Sequence, residues 1–429
     1  MKLMNKILPK IFFCFAVFCF TTNLVKAQMA IDSIVSMDST VSISDDHFSF
    51  VNNDLNFITN EKALQSFFQK LDELKRGKRN KVVIVHIGDS HIQADNFTGV
   101  MRKQFQQQFG NGGRGLYFPY RTAKTNGPFD IKDVNSCVCN WKTKRCCFPD
   151  IPIPIGVSGI TLQTNSNANI DFCLSQNYGD NFFDRITIFC DKKFAYTIEP
   201  QIKEPVTNLF VSPFRLEYAA DPYSLTYSTD KPIDNFRLSI EKNDTTSEAF
   251  NLFGIYLQNT KAKGVEYNMI GVNGAQFMHY NQADYFFEQL PALQPDLVIV
   301  SLGTNEAISQ KLDASSLEGE ANNFFTKIND VCPNAAVLVT SPPDTYLMRR
   351  YKNNHTAIVS GIEKQICLKN NYAFWDFYNV MGGLGSAMKW RKLGLGNYDL
   401  VHFLSKGYEV QGKLLYRALM NSYNNRKTH

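Results

Sequence analysis

The chain has little of what a membrane protein, a nucleic-acid binder or a metalloenzyme needs. A spanning helix takes roughly 20 apolar residues. The apolar run near the N-terminus, "IFFCFAVFCF" (11–20), is about half that length. Lysine and arginine are dispersed with no dense basic block, and the formal net charge is only +5. That balance permits weak attraction to an anionic wall polymer and does not imply specific nucleic-acid binding. Histidine is scarce, with seven in all, at 47, 86, 91, 279, 355, 402 and 429. No G-x-S-x-G elbow occurs, which disfavours an ordinary α/β-hydrolase. There is no internal repeat and no low-complexity tract.

What is present begins with an export signal. A basic "MKLMNKILPK", the short apolar run and the small residues of "LVKAQ" place a cleavage after Ala27. Cys19 lacks the small-residue context of a lipoprotein signal, so no lipid anchor is implied. Export to the periplasm is expected, with secretion or the cell surface as alternatives. Hydrophobic content of 44% and charge of 20% describe a folded globular protein. The remaining chain of about 400 residues exceeds one ordinary core, so a large domain with an insertion or a second domain is expected. Two of the ten cysteines lie in the signal, and four of the rest crowd into "CVCNWKTKRCC" (Cys137, Cys139, Cys146, Cys147). In an exported chain this predicts disulfides. A zinc knuckle is the weaker reading, because its two-residue spacers and histidines are missing.

The texture of the chain changes twice. After an irregular lead-in (28–60), "EKALQSFFQKLDELKRGKR" (61–79) has the apolar period of a helix. "KVVIVHIG" is a continuous β-branched run of the kind buried in a parallel sheet. "NFTGVMRKQFQQQFG" (96–110) reads as the next helix, closed by Gly110. Between about 119 and 254, "NIDFCLS", "DRITIFC", "FAYTIEP", "NFRLSIEK" and "AFNLFGIYLQN" alternate apolar and polar residues between turn residues, the pattern of a β-sandwich. Strands "PDLVIVSLG" and "NAAVLVTSPP" then alternate with helical patterns near 276–290, 315–330, 352–370 and 405–424. The predicted fold is an α/β domain in two parts (61–118 and 255–429), interrupted by an all-β module (119–254).

The stretch "VVIVHIGDSHIQAD" (82–95) concentrates the chemistry. Its "DSH" (Asp89 to His91) resembles the start of a two-metal phosphoesterase, but two hard cations need five or more carboxylate and imidazole ligands. The only "GD" elsewhere, "GDNFFD" (179–184), falls within the β-rich region, no GNH exists, and "GTNE" has Glu where a His ligand is required. The ligand count falls short and no metal is predicted. The alternative is Ser90 as a nucleophile at the carboxyl end of a strand, where open α/β sheets place their sites. A serine needs a base, an orienting carboxylate and oxyanion donors. "YDLVH" supplies Asp399 and His402, three residues apart. "SLGTNEA" puts Asn305 just past a strand, and "IGVNGAQF" offers the N–H of Gly274, which has no Cβ in the way. Singly, Gly274 reads as a turn glycine, Asn305 as a helix cap and Asp399–His402 as a loop hydrogen bond. Together, in order and each beside a strand end or helix start, they read as one site.

The four blocks "GDS", "GVNGA", "GTNE" and "DLVH" resemble those of the SGNH, or GDSL, hydrolases. That resemblance implies a flavodoxin-like three-layer α/β/α fold and a cofactor-free serine esterase mechanism. In it Ser90 attacks, His402 moves the proton and Asp399 orients His402. The N–H groups of Ser90 and Gly274 and the amide of Asn305 hold the oxyanion. "GDSHIQAD" followed by "FGNGGRGL", with a β-rich module inserted before the Gly block, is similar to the bacterial peptidoglycan O-acetylesterases. There the insert resembles a carbohydrate-binding module, and the insertion of this chain is expected to be a sandwich or jelly roll. The implied partner is an acetylated glycan, most simply wall glycan acetylated on N-acetylmuramic acid, with no nucleic acid involved. "CVCNWKTKRCC" departs from the pattern.

Other residues have less specific readings. His91 either contacts substrate or supports the turn, with support favoured, and His86, in mid-strand, reads as a satisfied core residue. "GNGGRG" (110–115) follows a helix rather than a strand and reads as a loop, with Arg114 a candidate to line the cleft. Trp141 and Trp390 are candidates to stack on sugars, against a default of core packing. Alternative functions are O-acetyl transfer to glycan by the same triad, glycan binding without catalysis, and lipase or thioesterase action.

Overall fold

The computed structural model describes residues 50–426, apart from 177–180, 192–194, 218–222 and 244–247. The export signal and most of the lead-in lie outside the described residues. One six-stranded sheet organises the α/β part. Its spatial order is Ile58–Thr59, Ala373–Trp375, Ala336–Thr340, Leu297–Ser301, Lys81–Gly88 and Gly264–Gly271. All pairings are parallel except that of the short first strand, which runs antiparallel to Ala373–Trp375. Counted along the chain, the five parallel strands lie in the order 2-1-3-4-5, the flavodoxin arrangement. Lys81–Gly88 is an interior strand, between Leu297–Ser301 and Gly264–Gly271, and seven of its eight residues are buried, as a largely β-branched run requires when both faces are covered. Helices Gln65–Lys75, Asn96–Phe109 and Ser405–Asn425 pack together over one face, and Phe277–Asn281, Ala314–Val331 and His355–Lys369 over the other. The chain order reverses between Lys81–Gly88 and Leu297–Ser301, and sites of such sheets form outside the carboxyl ends of the strands at that switch point.

The β-rich region lies in the connection between the first two parallel strands and forms two antiparallel sheets. One is ordered Phe210–Val211, Tyr196–Lys203, Asn235–Lys242, Ala168–Leu174, Ile131–Asn135. The other is ordered Arg215–Glu217, Ser224–Ile233, Phe183–Cys190, Phe250–Gln258, Ile160–Thr164, Lys142–Arg145. Aromatic pairs join them face to face, Phe183 with Phe236 at 5.6 Å and Tyr196 with Phe250 at 5.5 Å between ring centres. This is a sandwich. Its strands extend beyond 119–254, because Gly115–Tyr117 pairs with the far end of Phe250–Gln258 (Tyr117 opposite Ile255) and zips the two ends of the insertion together. Gly115–Tyr117 is too short to show a period of its own.

Two further expectations change. The end of the lead-in is not irregular: Ile58–Thr59 forms the edge strand, and the buried Asn56 accepts from Trp375 Nε1 (2.9 Å) and donates to Leu414 O (3.1 Å). In the cysteine cluster only Cys137 and Cys139 are bonded, while Cys146 and Cys147 are thiols. Cys146 is buried, whereas Cys147 faces the α/β part and donates to Asn273 O (3.2 Å). Adjacent residues on a chain point apart, so the pair serves two places. Trp390 is fully buried, and Trp141 is half-buried with its indole N–H on Asn135 Oδ1 (3.3 Å). Trp390 therefore offers no face to a sugar.

Candidate active site

The strand Lys81–Gly88 stops at a sharp turn. Asp89, in an extended conformation, accepts the His91 N–H on Oδ1 (2.9 Å) and caps the short helix Ser90–Gln93. That helix folds back so closely that a Cβ on Gly88 would lie 2.4 Å from Ile92 Cγ1 and 2.6 Å from Ser301 O, so only glycine fits. Ser90 is left half-exposed at the carboxyl end of the sheet.

His402 reaches it from the loop ahead of the C-terminal helix. Asp399 Oδ1 accepts the N–H groups of Val401 and His402 (2.9 Å each), which closes the turn, and Asp399 Oδ2 meets His402 Nδ1 at 2.8 Å. His402 Nε2 is 2.7 Å from Ser90 Oγ. With Nδ1–H donated to the carboxylate, Nε2 is the ring nitrogen left to accept from the Ser90 hydroxyl. Burial opposes the charged form of His402, but the hydrogen bond and charge of Asp399, with the charge of Asp89, outweigh it and raise its pKa above the ordinary 6.5. Asp399, although partly buried, is held below the usual carboxylate range by the donors around it.

The other two blocks arrive on neighbouring strands. Gly274 follows Gly264–Gly271 with φ +87°, a conformation that favours glycine. Asn305 lies in the short helix after Leu297–Ser301, and its Nδ2 donates to Ala275 O (2.8 Å), with Asp89 Oδ2 at 3.5 Å. One N–H of the amide thus holds the glycine loop, and the other has only the distant Asp89 Oδ2. The structure brings Ser90, His402 and Asp399 into one hydrogen-bonded chain and gathers Gly274 and Asn305 at the same sheet edge.

Of the two possible substrate contacts, His91 takes the supporting place favoured for it, and Arg114 is corrected. His91 is 4% exposed; its Nδ1 lies 3.1 Å from Tyr408 Oη and its ring 5.1 Å from that of His402. Burial and the nearby His402 hold His91 well below its usual pKa, so it is a neutral wall behind the base. Arg114 is 2% exposed and forks onto Asp130 (Nε–Oδ2 2.5 Å, Nη2–Oδ1 3.0 Å), with Asp95 at 3.4 Å. It is a buried structural cation and does not line a cleft. His86 is satisfied on both sides, by Tyr267 Oη (2.8 Å) and Ser301 Oγ (2.7 Å). Among the described residues no group of three or more His, Cys, Asp or Glu side chains is placed to hold a metal ion.

Sequence reasoning missed a positioning residue, Gln93. Fully buried, it donates to Thr125 Oγ1 (2.9 Å) and Asn126 O (2.7 Å), and its Oε1 accepts the Asn273 N–H (2.7 Å). One amide thus fixes the helix Ser90–Gln93 to the loop of Gly274. Cys147 reaches the same loop from the insertion, its Sγ 3.5 Å from where a Cβ on Gly274 would stand. Gln93 stood inside the quoted stretch, but its partners lie far along the chain.

Residues 243–410 match the model of the GDSL-like Lipase/Acylhydrolase family, a span that takes in Gly274, Asn305, Asp399 and His402. A solved peptidoglycan O-acetylesterase superposes with a TM-score of 0.70 at 23% identity, over 86% of this chain and 99% of that one. An acetylxylan esterase from Geobacillus stearothermophilus aligns over 37% of this chain and 73% of its own, at 17% identity and TM-score 0.30. A family two carbohydrate esterase from Cellvibrio japonicus aligns over 68% and 98%, at 9% identity and TM-score 0.28. No curated protein matches. The flavodoxin strand order and the four ordered blocks agree with the match of residues 243–410 to the GDSL-like Lipase/Acylhydrolase family.

Proposed function

We propose that this protein is an exported serine esterase that removes O-acetyl groups from a carbohydrate, with the N-acetylmuramic acid of peptidoglycan as the carrier. The observation that carries the chemistry is the unbroken chain Asp399–His402–Ser90, at 2.8 and 2.7 Å. Ser90 Oγ attacks the acetyl carbonyl while its proton passes to His402 Nε2. The oxyanion settles on the N–H groups of Ser90 and Gly274 and the Asn305 amide. His402 returns the proton to the departing sugar hydroxyl, leaving Ser90 acetylated. Water, deprotonated by His402, then releases acetate and restores Ser90. The carrier is supported by the fold likeness to a peptidoglycan O-acetylesterase, which extends through the inserted sandwich.

The test is acetate release by the protein from O-acetylated peptidoglycan and, in parallel, from acetylated xylan. Release from the first at the higher kcat/KM supports the reading. Preference for xylan moves the substrate, and acetate formation only when an acceptor glycan is supplied turns the reading to transfer.

The pH profile follows from His402. Only the neutral imidazole accepts the serine proton, and its pKa is raised by Asp399. Activity is therefore expected to be lost as pH falls through that raised value. The half-maximal point of kcat/KM should lie above 6.5, with a plateau on the alkaline side. In Asp399→Asn the main support of the cation is gone, so the midpoint should move down while the plateau falls. A midpoint that stays fixed would mean another group titrates.

A further inference from the structure

The loop bearing Asp399 and His402 is propped by two neighbouring elements. A hairpin pairs Tyr346–Leu347 with Tyr351–Lys352, and the Tyr346 N–H donates to Leu400 O (3.0 Å). The helix Ser386–Lys392 packs Ala387 into a cluster with Tyr346 and Leu400. Between them these elements present Arg349, Arg350, Lys352, Lys389, Arg391 and Lys392, and no Asp or Glu. Lys352 faces the carboxylate of the buried Asp344. Among the described residues no ion pair engages the other five.

Two of the cations converge on a single ring. Tyr398, directly before Asp399, is 63% exposed; the guanidinium carbon of Arg391 lies 4.5 Å from its ring centre and that of Arg349 lies 5.3 Å away. Like charges gathered from separate elements repel, and the face of one tyrosine offsets only part of that. An anion set against both guanidiniums removes the repulsion, and a carboxylate matches their planar donors.

The hairpin tip is an independent sign. Met348 and Arg349 have φ +51° and +60°, and Arg350 N–H closes the turn on Leu347 O (3.0 Å). Turns of this hand take Asn-Gly, because other side chains are strained there. Met348 is nevertheless 79% exposed, and Arg349 is exposed beside it, so no core packing holds them. Strain kept at an exposed tip beside a catalytic loop points to use.

We propose that this rim, centred on Arg349, Arg391 and Tyr398, docks a carboxylate-bearing glycan, holding an anionic group of the polymer while the acetylated sugar meets Ser90. This rests on the esterase reading above and adds to it the charge of the substrate.

Binding is read in the Ser90→Ala background, by co-sedimentation with purified peptidoglycan and with the same polymer after methylation of its carboxylates. Adding Arg349→Glu and Arg391→Glu is expected to weaken binding by about tenfold or more. The same charge change at Lys103 and Lys369, outside these elements, is expected to change it by less than about twofold. Methylated polymer should bind as weakly as the rim variant does to the native one. Met348→Asn with Arg349→Gly relaxes the turn, and is expected to raise Tm while weakening binding. Retained binding in the rim variants, equal loss in the Lys103/Lys369 control, or undiminished binding of methylated polymer each overturns the proposal. Turnover of p-nitrophenyl acetate by the protein with Ser90 intact reports on the esterase reading alone, so the two fail separately.

Discussion

Ser90→Ala is expected to lower kcat/KM on any acetyl ester by about 10⁴-fold or more, with little change in stability. Ser90 is half-exposed and, among the described residues, the hydrogen-bond partner of its Oγ is His402 Nε2 at 2.7 Å, so its loss leaves no buried group unsatisfied. What remains is His402, the oxyanion donors and a water in place of the serine. That set still assists hydrolysis slightly but forms no covalent intermediate. The protein with Ser90 should show a burst of p-nitrophenol and an acetyl adduct on the peptide containing Ser90, whereas the variant should show neither. EDTA should leave the rate unchanged. Asp89 is occupied by the His91 N–H and His91 Nδ1 by Tyr408, so the "DSH" triplet that resembles a metal-site opening is used for capping and packing. A rate that survives Ser90→Ala and disappears with EDTA would restore the metal reading.

The parts of this site that could be read in the sequence are those whose physics is local. The run Val82–Gly88 announces a doubly covered strand because, His86 apart, every residue type in it suits burial, and α/β sheets place their sites just past the carboxyl ends of such strands. Asp399 and His402 are three apart, so one turn presents both. The supports were invisible for the opposite reason. Tyr408 meets His91 across 317 positions, and Cys147 meets Asn273 across 126. Neither contact has a local signature, because each is made only once the sheet and the insertion have formed. The edge strand Ile58–Thr59 is two residues long, too short to show any period. The rim was hidden differently: its cations come from separate stretches of the chain, and the hairpin and the helix bring Arg349 and Arg391 to one tyrosine.

Arg114 shows how a residue's neighbours in sequence mislead, and its replacement should have the largest effect on stability. Set in "GNGGRG", it looks like a mobile loop cation. Folded, it is 2% exposed and ties Asp130, at the start of the insertion, to Asp95, five residues past Ser90. Asp95 has a second cation, Arg102, at 2.7 Å, and keeps its partner when Arg114 is lost. Asp130 does not. Arg114→Met therefore leaves one carboxylate buried without its fork, and removal of one member of such a pair costs about 3–5 kcal/mol. The measurement is the urea midpoint, read by far-UV circular dichroism, and the expected result is a large downward shift with an unchanged slope. Arg114→Lys keeps the charge but not the planar pair of donors, and should recover only part of the loss. Combining Arg114→Met with Asp130→Asn removes the stranded charge, so the double variant should be more stable than Arg114→Met alone, a non-additivity that marks direct coupling. If Arg114 instead touched substrate, Arg114→Met would raise KM for the glycan and leave the urea midpoint where it was.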